Sequence, residues 1–212
     1  MEKNKIKTII PITVFIILDV ILFKLFPAEG IFQQIVAMFS FFVVTPFLFN
    51  IFVLKNKISR IGFSIGKAKE GIFFSTVSMV VGLLIFYIIF NYFDFLKNYT
   101  LSDKAVNNFS YFIYYELVQV LFVNFIFEVF FRGFIMFNYQ NYFGYWTIGT
   151  QWIIFIILLV LNSGFNWFFV PYIIFFPLAG FIAYKSRSIW YSLAAQSIFI
   201  FIIDIIVVKL KY

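Results

Sequence analysis

The chain reads as an all-α polytopic membrane bundle of about seven transmembrane helices, with room for an eighth. Three observations lead there. Of its 212 residues, 64% are hydrophobic and only 12% charged, against about 25% charged in an average soluble chain. The mean hydropathy is +1.01. Long apolar runs recur along the whole length, and they are continuous rather than alternating, which argues against a transmembrane barrel. One membrane domain over 1–212 is expected, with N-terminal spans and a basic connection in 1–110 and a core in 111–208.

The spans are expected in order. Lys3, Lys5 and Lys7 precede an apolar run that Asp19 and Lys24 interrupt, with no small-residue cleavage site after it. This reads as a retained first span over Ile9–Phe26 rather than a signal peptide. Pro27-Ala28-Glu29-Gly30 turns the chain into span two, Ile31–Leu54, where Pro46 predicts a kink. Lys55–Gly71 is the longest polar connection. It carries Lys55, Lys57, Arg60, Lys67 and Lys69, interleaved with Ile58, Ile61, Phe63 and Ile65. A segment lying along the headgroups and a solvated loop both fit that pattern, since Gly62 and Gly66 weaken a helix.

Span three is expected over Ile72–Phe95, followed by a polar loop, Lys97–Ser110. Span four is Tyr111–Phe137 and span five Tyr145–Leu161, separated at Gly144; Asn162-Ser163-Gly164 is the next break. Span six, Trp167–Tyr184, contains Pro171, Pro177 and Gly180. A basic turn, Lys185-Ser186-Arg187-Ser188, leads into span seven, Ile189–Val208. With the N-terminus inside, the inner side collects Lys3, Lys5, Lys7, the five basic residues of the 55–71 connection, Arg132, Lys185 and Arg187. That is eleven of the 16 lysines and arginines. The N-terminus is therefore expected on the cytoplasmic side of a cell membrane.

Composition also excludes chemistry. There is no cysteine and no histidine. That removes disulfides, thiolate or imidazole metal sites, cysteine nucleophiles and a Ser-His-Asp triad. The formal charge of +7 sits at the ends of apolar runs, as topology signals and headgroup contacts, so no nucleic-acid partner is expected. No phosphate-binding glycine motif and no helical metal motif occurs.

Acids at membrane depth cost about 2.5–3.5 kcal/mol each on insertion scales and so are candidates for function. Asp19, Glu116, Glu128 and Asp204 qualify. Asp19 has a plain explanation in Lys24, a little over one turn away, and Glu116 in water at the interface. Glu128 and Arg132 stand four residues apart with the acid first, the favoured order for a helical ion pair; a static clamp and a site lining both account for them. Gln196, Ile200 and Asp204 follow at intervals of four in span seven, Gln196 and Asp204 about 80° apart, as a stripe toward the bundle interior. No two carboxylates share an obvious local site.

Phe127-Glu128-Val129-Phe130-Phe131-Arg132-Gly133-Phe134 resembles the first motif of the CPBP family of intramembrane proteases, the CAAX prenyl endopeptidase and bacteriocin-processing or self-immunity (Abi) proteins. That motif is Glu-Glu-x-x-x-Arg, usually continuing Gly-Phe; Phe127 stands at its leading glutamate. Ser188-Ile189-Trp190-Tyr191-Ser192-Leu193-Ala194-Ala195-Gln196 is similar to the family's approach to its last histidine. That histidine falls on Gln196 and the following asparagine on Ile200. In the middle motif Phe155 fits, with Leu159 at the histidine and Asn162 the nearest polar residue. The resemblance covers about Tyr111–Val208.

What the resemblance implies is a protease in which the first glutamate and two histidines activate water, with or without a metal. Phe127 cannot act as a base, and Gln196 neither takes a proton at neutral pH nor ligates a metal well. The expectation is a catalytically inactive relative with no cofactor. Glu128 and Arg132 remain as motif remnants, and the fold serves as scaffold for another membrane or cell-envelope protein, or for a peptide in a self-immunity role. One alternative is residual endopeptidase activity through Glu128. Another is a transporter or channel subunit, for which no repeat symmetry is evident.

Overall fold

The computed structural model describes residues 2–164 and 166–212, leaving aside the side chains of residues 2–8, 59, 162 and 163. Asn162, the polar residue near the middle motif, thus has its side chain outside the described residues. Among the described residues there are helices and no strand. Seven long rods succeed one another: α1 Glu2–Leu25, α2 Gly30–Val53, α3 Ala68–Tyr92, α4 Phe109–Phe143, α5 Trp146–Ser163, α6 Val170–Ser186 and α7 Ile189–Lys211. Among the described residues, α2, α3, α4, α7 and α6 with the turn before it are long and apolar enough to cross a bilayer; α5 is apolar over the shorter Trp146–Leu161. The chain is a polytopic helical membrane protein.

The rods are not equivalent. Of the most apolar window of α4, 78% is buried, against 17% for α3. α4 packs against α2, α5, α6 and α7, so its side chains meet protein on nearly every face. α3 packs on α6 and α7 and turns Ile72, Val80, Leu84 and Ile88 outward. Such a continuous apolar face fits hydrocarbon rather than water.

Two rods depart from ideal α geometry where their sequence demands it. In α2, π-helical turns at Ser40–Val44 and Phe49–Val53 bracket Thr45–Leu48, so the kink expected at Pro46 takes the form of widened turns. Proline has no N–H, and its ring presses on the carbonyl one turn back; a wider turn relieves both problems. In α6, Pro177 leaves the Ile173 carbonyl without its helical donor. The Trp152 indole N–H of α5 supplies one, 3.1 Å away.

The basic connection is docked on the bundle between Ile61 and Lys67. A 3₁₀ turn, Ile58–Ile61, tucks beneath the bundle with Ile61 buried. The Ile189 N–H donates to Gly62 O at 3.0 Å and the Lys67 N–H to Ser186 O at 2.7 Å. The Trp190 indole donates to Phe63 O at 3.1 Å. On the connection's side these three bonds use backbone groups, which no hydropathy pattern reports. Because Lys67 is held, α3 starts at Ala68, earlier than expected, and it ends at Tyr92 where Phe93 turns extended.

The 97–110 segment is likewise pinned rather than free. Phe95 and Tyr99 are fully buried, with Leu101 and Ala105 beneath them. Short helices at Phe95–Asn98 and Asp103–Asn107 lead to Asn108, whose side chain accepts from the Tyr111 N–H and starts α4. α4 runs past its expected end at Phe137 and stops at Gly144, where φ is +54°, a conformation suited to glycine.

Gly133 has a packing reason. A Cβ there would lie 2.9 Å from the backbone oxygen of Ile61, so the docked connection must move away. Gly133→Ala is expected to destabilise the protein by about 1–3 kcal/mol, read as a lower unfolding midpoint in detergent and faster proteolysis within 55–67. Gly149→Ala, with nothing within 4 Å of its added carbon, should leave both unchanged.

Candidate functional site

The central rod carries the Glu128 and Arg132 charges into the middle of the bundle. Glu128–Met136 is wound as a π-helix, a widening that recurs at functional sites, and all nine of its residues are buried. Arg132 Nη1 lies 3.3 Å from Glu128 Oε1, and both side chains have zero exposure. The pair expected from the spacing of four is present, longer than the 2.7–2.9 Å typical of a charge-assisted bond (about that range in general).

Other helices complete it. Glu128 Oε2 accepts from the Ser192 hydroxyl of α7 at 2.6 Å. Arg132 Nη2 donates to Gln196 Oε1 at 2.9 Å and to the Phe176 carbonyl of α6 at 3.0 Å. The guanidinium carbon sits 3.7 Å from the centroid of the Phe176 ring, a cation–π contact. Gln196 Nε2 then donates to Asn124 Oδ1 at 3.2 Å, and Asn124 Nδ2 to Ser197 Oγ at 3.0 Å. One polar chain thus joins α4, α6 and α7 across an otherwise apolar interior.

Gln196, Ile200 and Asp204 are all fully buried, as their spacing of four requires. Sequence reasoning missed Asn124 and Ser192, although a signal existed. Asn124, Glu128 and Arg132 repeat every four residues on α4, and Ser192, Gln196, Ile200 and Asp204 do so on α7. Two stripes of equal period on helices that pack together will face each other.

Phe127 points into an aromatic cluster. Its ring meets Phe131, Phe155 and Tyr172 edge-on at 5.9, 5.5 and 6.4 Å, and Phe155 stacks on Phe176 at 3.9 Å. Leu159 and Ile200 add only hydrocarbon, and the Gln196 carbonyl oxygen is already taken by Arg132. This donor set does not fit a metal ion: one amide and no imidazole, thiolate or free carboxylate. No group of three acids, histidines or cysteines occurs among the described residues.

The remaining acids depart from expectation. Asp19 is not paired with Lys24. Its Oδ1 accepts from the Thr45 hydroxyl of α2 at 2.7 Å, while Lys24 Nζ donates to Leu161 O at 2.6 Å. Side chains on α1 lean toward the neighbours that bury them, and helical spacing alone does not reveal those neighbours. Glu116 does not reach interfacial water either: it is buried, as is Asp204, and the two carboxyls lie near enough to act on each other electrostatically. Two carboxylates 88 positions apart in sequence therefore share a site, contrary to the expectation that none would.

Asp204 Oδ1 also accepts from the Tyr99 hydroxyl at 2.5 Å. Burial, and then the Asp204 carboxylate, hold the Tyr99 phenol well above its usual range, so it remains a donor. Lys211 Nζ donates to Tyr99 O at 2.7 Å. The end of α7 thereby fastens the 93–108 connection, which is why that segment is not a free loop.

With this geometry in view, the comparison with known families is specific. Residues 109–202 match the family model for type II CAAX prenyl endopeptidase, Rce1-like. This segment is an Rce1-like domain of the CPBP family. No curated protein and no solved structure matches the chain. The Rce1-like domain begins at the first residue of α4 and ends inside α7, so it contains the whole Glu128–Arg132–Gln196 network.

Two outcomes test the energetics of that network. Arg132→Met leaves the Glu128 carboxylate buried and unpaired, and should cost about 3–5 kcal/mol in detergent unfolding; adding Glu128→Leu should restore most of the loss, since a buried pair replaced by hydrocarbon is close to neutral. Asp204→Leu, which strands the Tyr99 hydroxyl, should cost about 1–3 kcal/mol and expose the 93–108 connection to hydrogen exchange while α1 and α2 stay protected.

Proposed function

We propose that this Rce1-like domain does not hydrolyse peptide bonds and that the protein uses the fold as a membrane scaffold. The observation that carries the reading is the closure of the site around Glu128. The one motif acid that remains is fully buried, held by Arg132 on one oxygen and by Ser192 on the other. A general base must reach the water it deprotonates; here Ser192 donates to one Glu128 oxygen and the Arg132 guanidinium lies 3.3 Å from the other, so both oxygens face protein groups inside the bundle. The leading position is Phe127, packed among rings, and the last-histidine position is Gln196, engaged at both ends of its amide. Glu128 and Arg132 thus serve as a clamp joining three helices.

The partner class that fits is another membrane or cell-envelope protein, meeting the bundle through its bilayer-facing helices. The basic residues support a cell-membrane orientation with the N-terminus cytoplasmic. The 55–71 connection and the Lys185–Ser188 turn, both basic, are bonded together through Lys67 and Ser186, and a shared basic end belongs inside.

Purified full-length protein, offered prenylated peptides and transmembrane-segment substrates with and without added zinc, is expected to give no cleavage above background. Cleavage that Glu128→Ala abolishes would overturn the proposal. Orientation has an independent test, since the chain has no cysteine: Lys69→Cys should react with an impermeant maleimide only after the cell is opened, and Lys104→Cys in intact cells. The reverse pattern would refute the orientation alone.

A further inference from the structure

A cavity of about 530 Å³ lies between α1, α2, α4, α5 and the start of α6, in the size range of small-molecule sites (about 300–1,000 Å³). It shares the Phe127, Phe131, Phe155 and Tyr172 ring cluster and Lys24 with the contacts above, and none of the hydrogen-bonded Glu128 network lines it. Its outer rim carries Lys24, Phe26 and Gln34, all exposed. Its floor is made by Phe42, Phe127, Phe131 and Phe155, all buried. Along α4 the lining runs from residue 123 to residue 131, which at 1.5 Å per residue is about 12 Å of depth.

The lining decides what can enter. Among the described residues, Lys24, Gln34 and Tyr172 are the polar side chains of its lining, the first two at the rim. A peptide drawn to the floor would bury backbone N–H and C=O groups with no partners, a cost of several kcal/mol per group by general estimate. An alkyl chain carries no such groups. At the rim, Lys24 bonds one backbone carbonyl, and among the described residues the recorded ion pairs are Lys67–Glu70 and Glu128–Arg132, neither of which involves it. Lys24 brings a positive charge to the mouth of an apolar cavity whose lining, among the described residues, includes no acid. That complements an anionic head with a hydrocarbon tail.

We infer that this cavity binds a single-chain amphiphile, with its alkyl chain on the Phe127–Phe131–Phe155 floor and its carboxylate or phosphate head at Lys24 and Gln34. The inference stands whether or not the domain has lost hydrolysis, because it uses no group of the Glu128 network.

The test uses the full chain in phosphatidylcholine vesicles with three photoreactive probes of equal chain length: a diazirine fatty acid, a diazirine lysophosphatidic acid and the matching diazirine fatty alcohol. The anionic probes should label Val123, Phe127 and Leu158 well above the bilayer-facing Ile72, Val80 and Leu84, and the alcohol should do so weakly. Labelling by only one anionic probe supports the site and assigns its head. Lys24→Gln should cut cavity labelling about tenfold, the loss of roughly one charge-assisted contact, without changing the labelling of α3. Ala37→Trp, which fills the cavity, should abolish it, with an unchanged unfolding midpoint confirming the fold. Uniform labelling across α3 and the cavity, equal labelling by the alcohol, or indifference to Lys24→Gln would each overturn the inference.

Discussion

The interior of this protein is organised by the need to keep one guanidinium in a place that water does not reach. Arg132 has zero exposure, and its charge cannot be shed as readily as that of a lysine. Such a group persists only where neighbouring elements supply acceptors. Glu128 on its own helix, Gln196 on α7, and the Phe176 carbonyl and ring on α6 supply them. Each acceptor lies on a different part of the chain, so satisfying Arg132 fixes the relative placement of α4, α6 and α7. In hydrocarbon, where helices gain nothing by excluding water, such polar contacts and close packing decide which helices meet.

Close approach imposes a second constraint. Gly133 allows the backbone of Ile61 against α4, and Gly180 faces the Gln151 amide. The prolines within α2 and α6 widen or unpair their helices, and the surroundings make good the loss: π turns around Pro46, the Trp152 indole at Ile173. Backbone groups freed inside a membrane must find protein partners. The connections are held by the same rule, their carbonyls and N–H groups bonding to the ends of α6 and α7. What would be loops in a soluble protein form the two ends of the bundle.

A buried polar network and an adjoining apolar cavity lie side by side along the Rce1-like segment. The network joins the segments that carry the first and last motifs, and aromatic side chains pack beside it around Phe127. Phe127 belongs to both regions: it follows the network's helix and its ring faces the cavity.

The all-helical class, the order of the seven rods and the pairing of Glu128 with Arg132 were legible in the sequence, because each depends on hydropathy or on spacing along one helix. So was the inward stripe of Gln196 and Asp204, since a helical period assigns residues to a face. Which faces meet was not legible. Ser192 and Asn124 completing the network, Glu116 reaching Asp204, Asp19 turning to Thr45 instead of Lys24, and the basic connection folding under α4 all join residues distant in sequence. Local periodicity carries no term for such partners. Tertiary packing decided them, because a buried polar atom takes the nearest unsatisfied partner in space, wherever in the chain that partner lies.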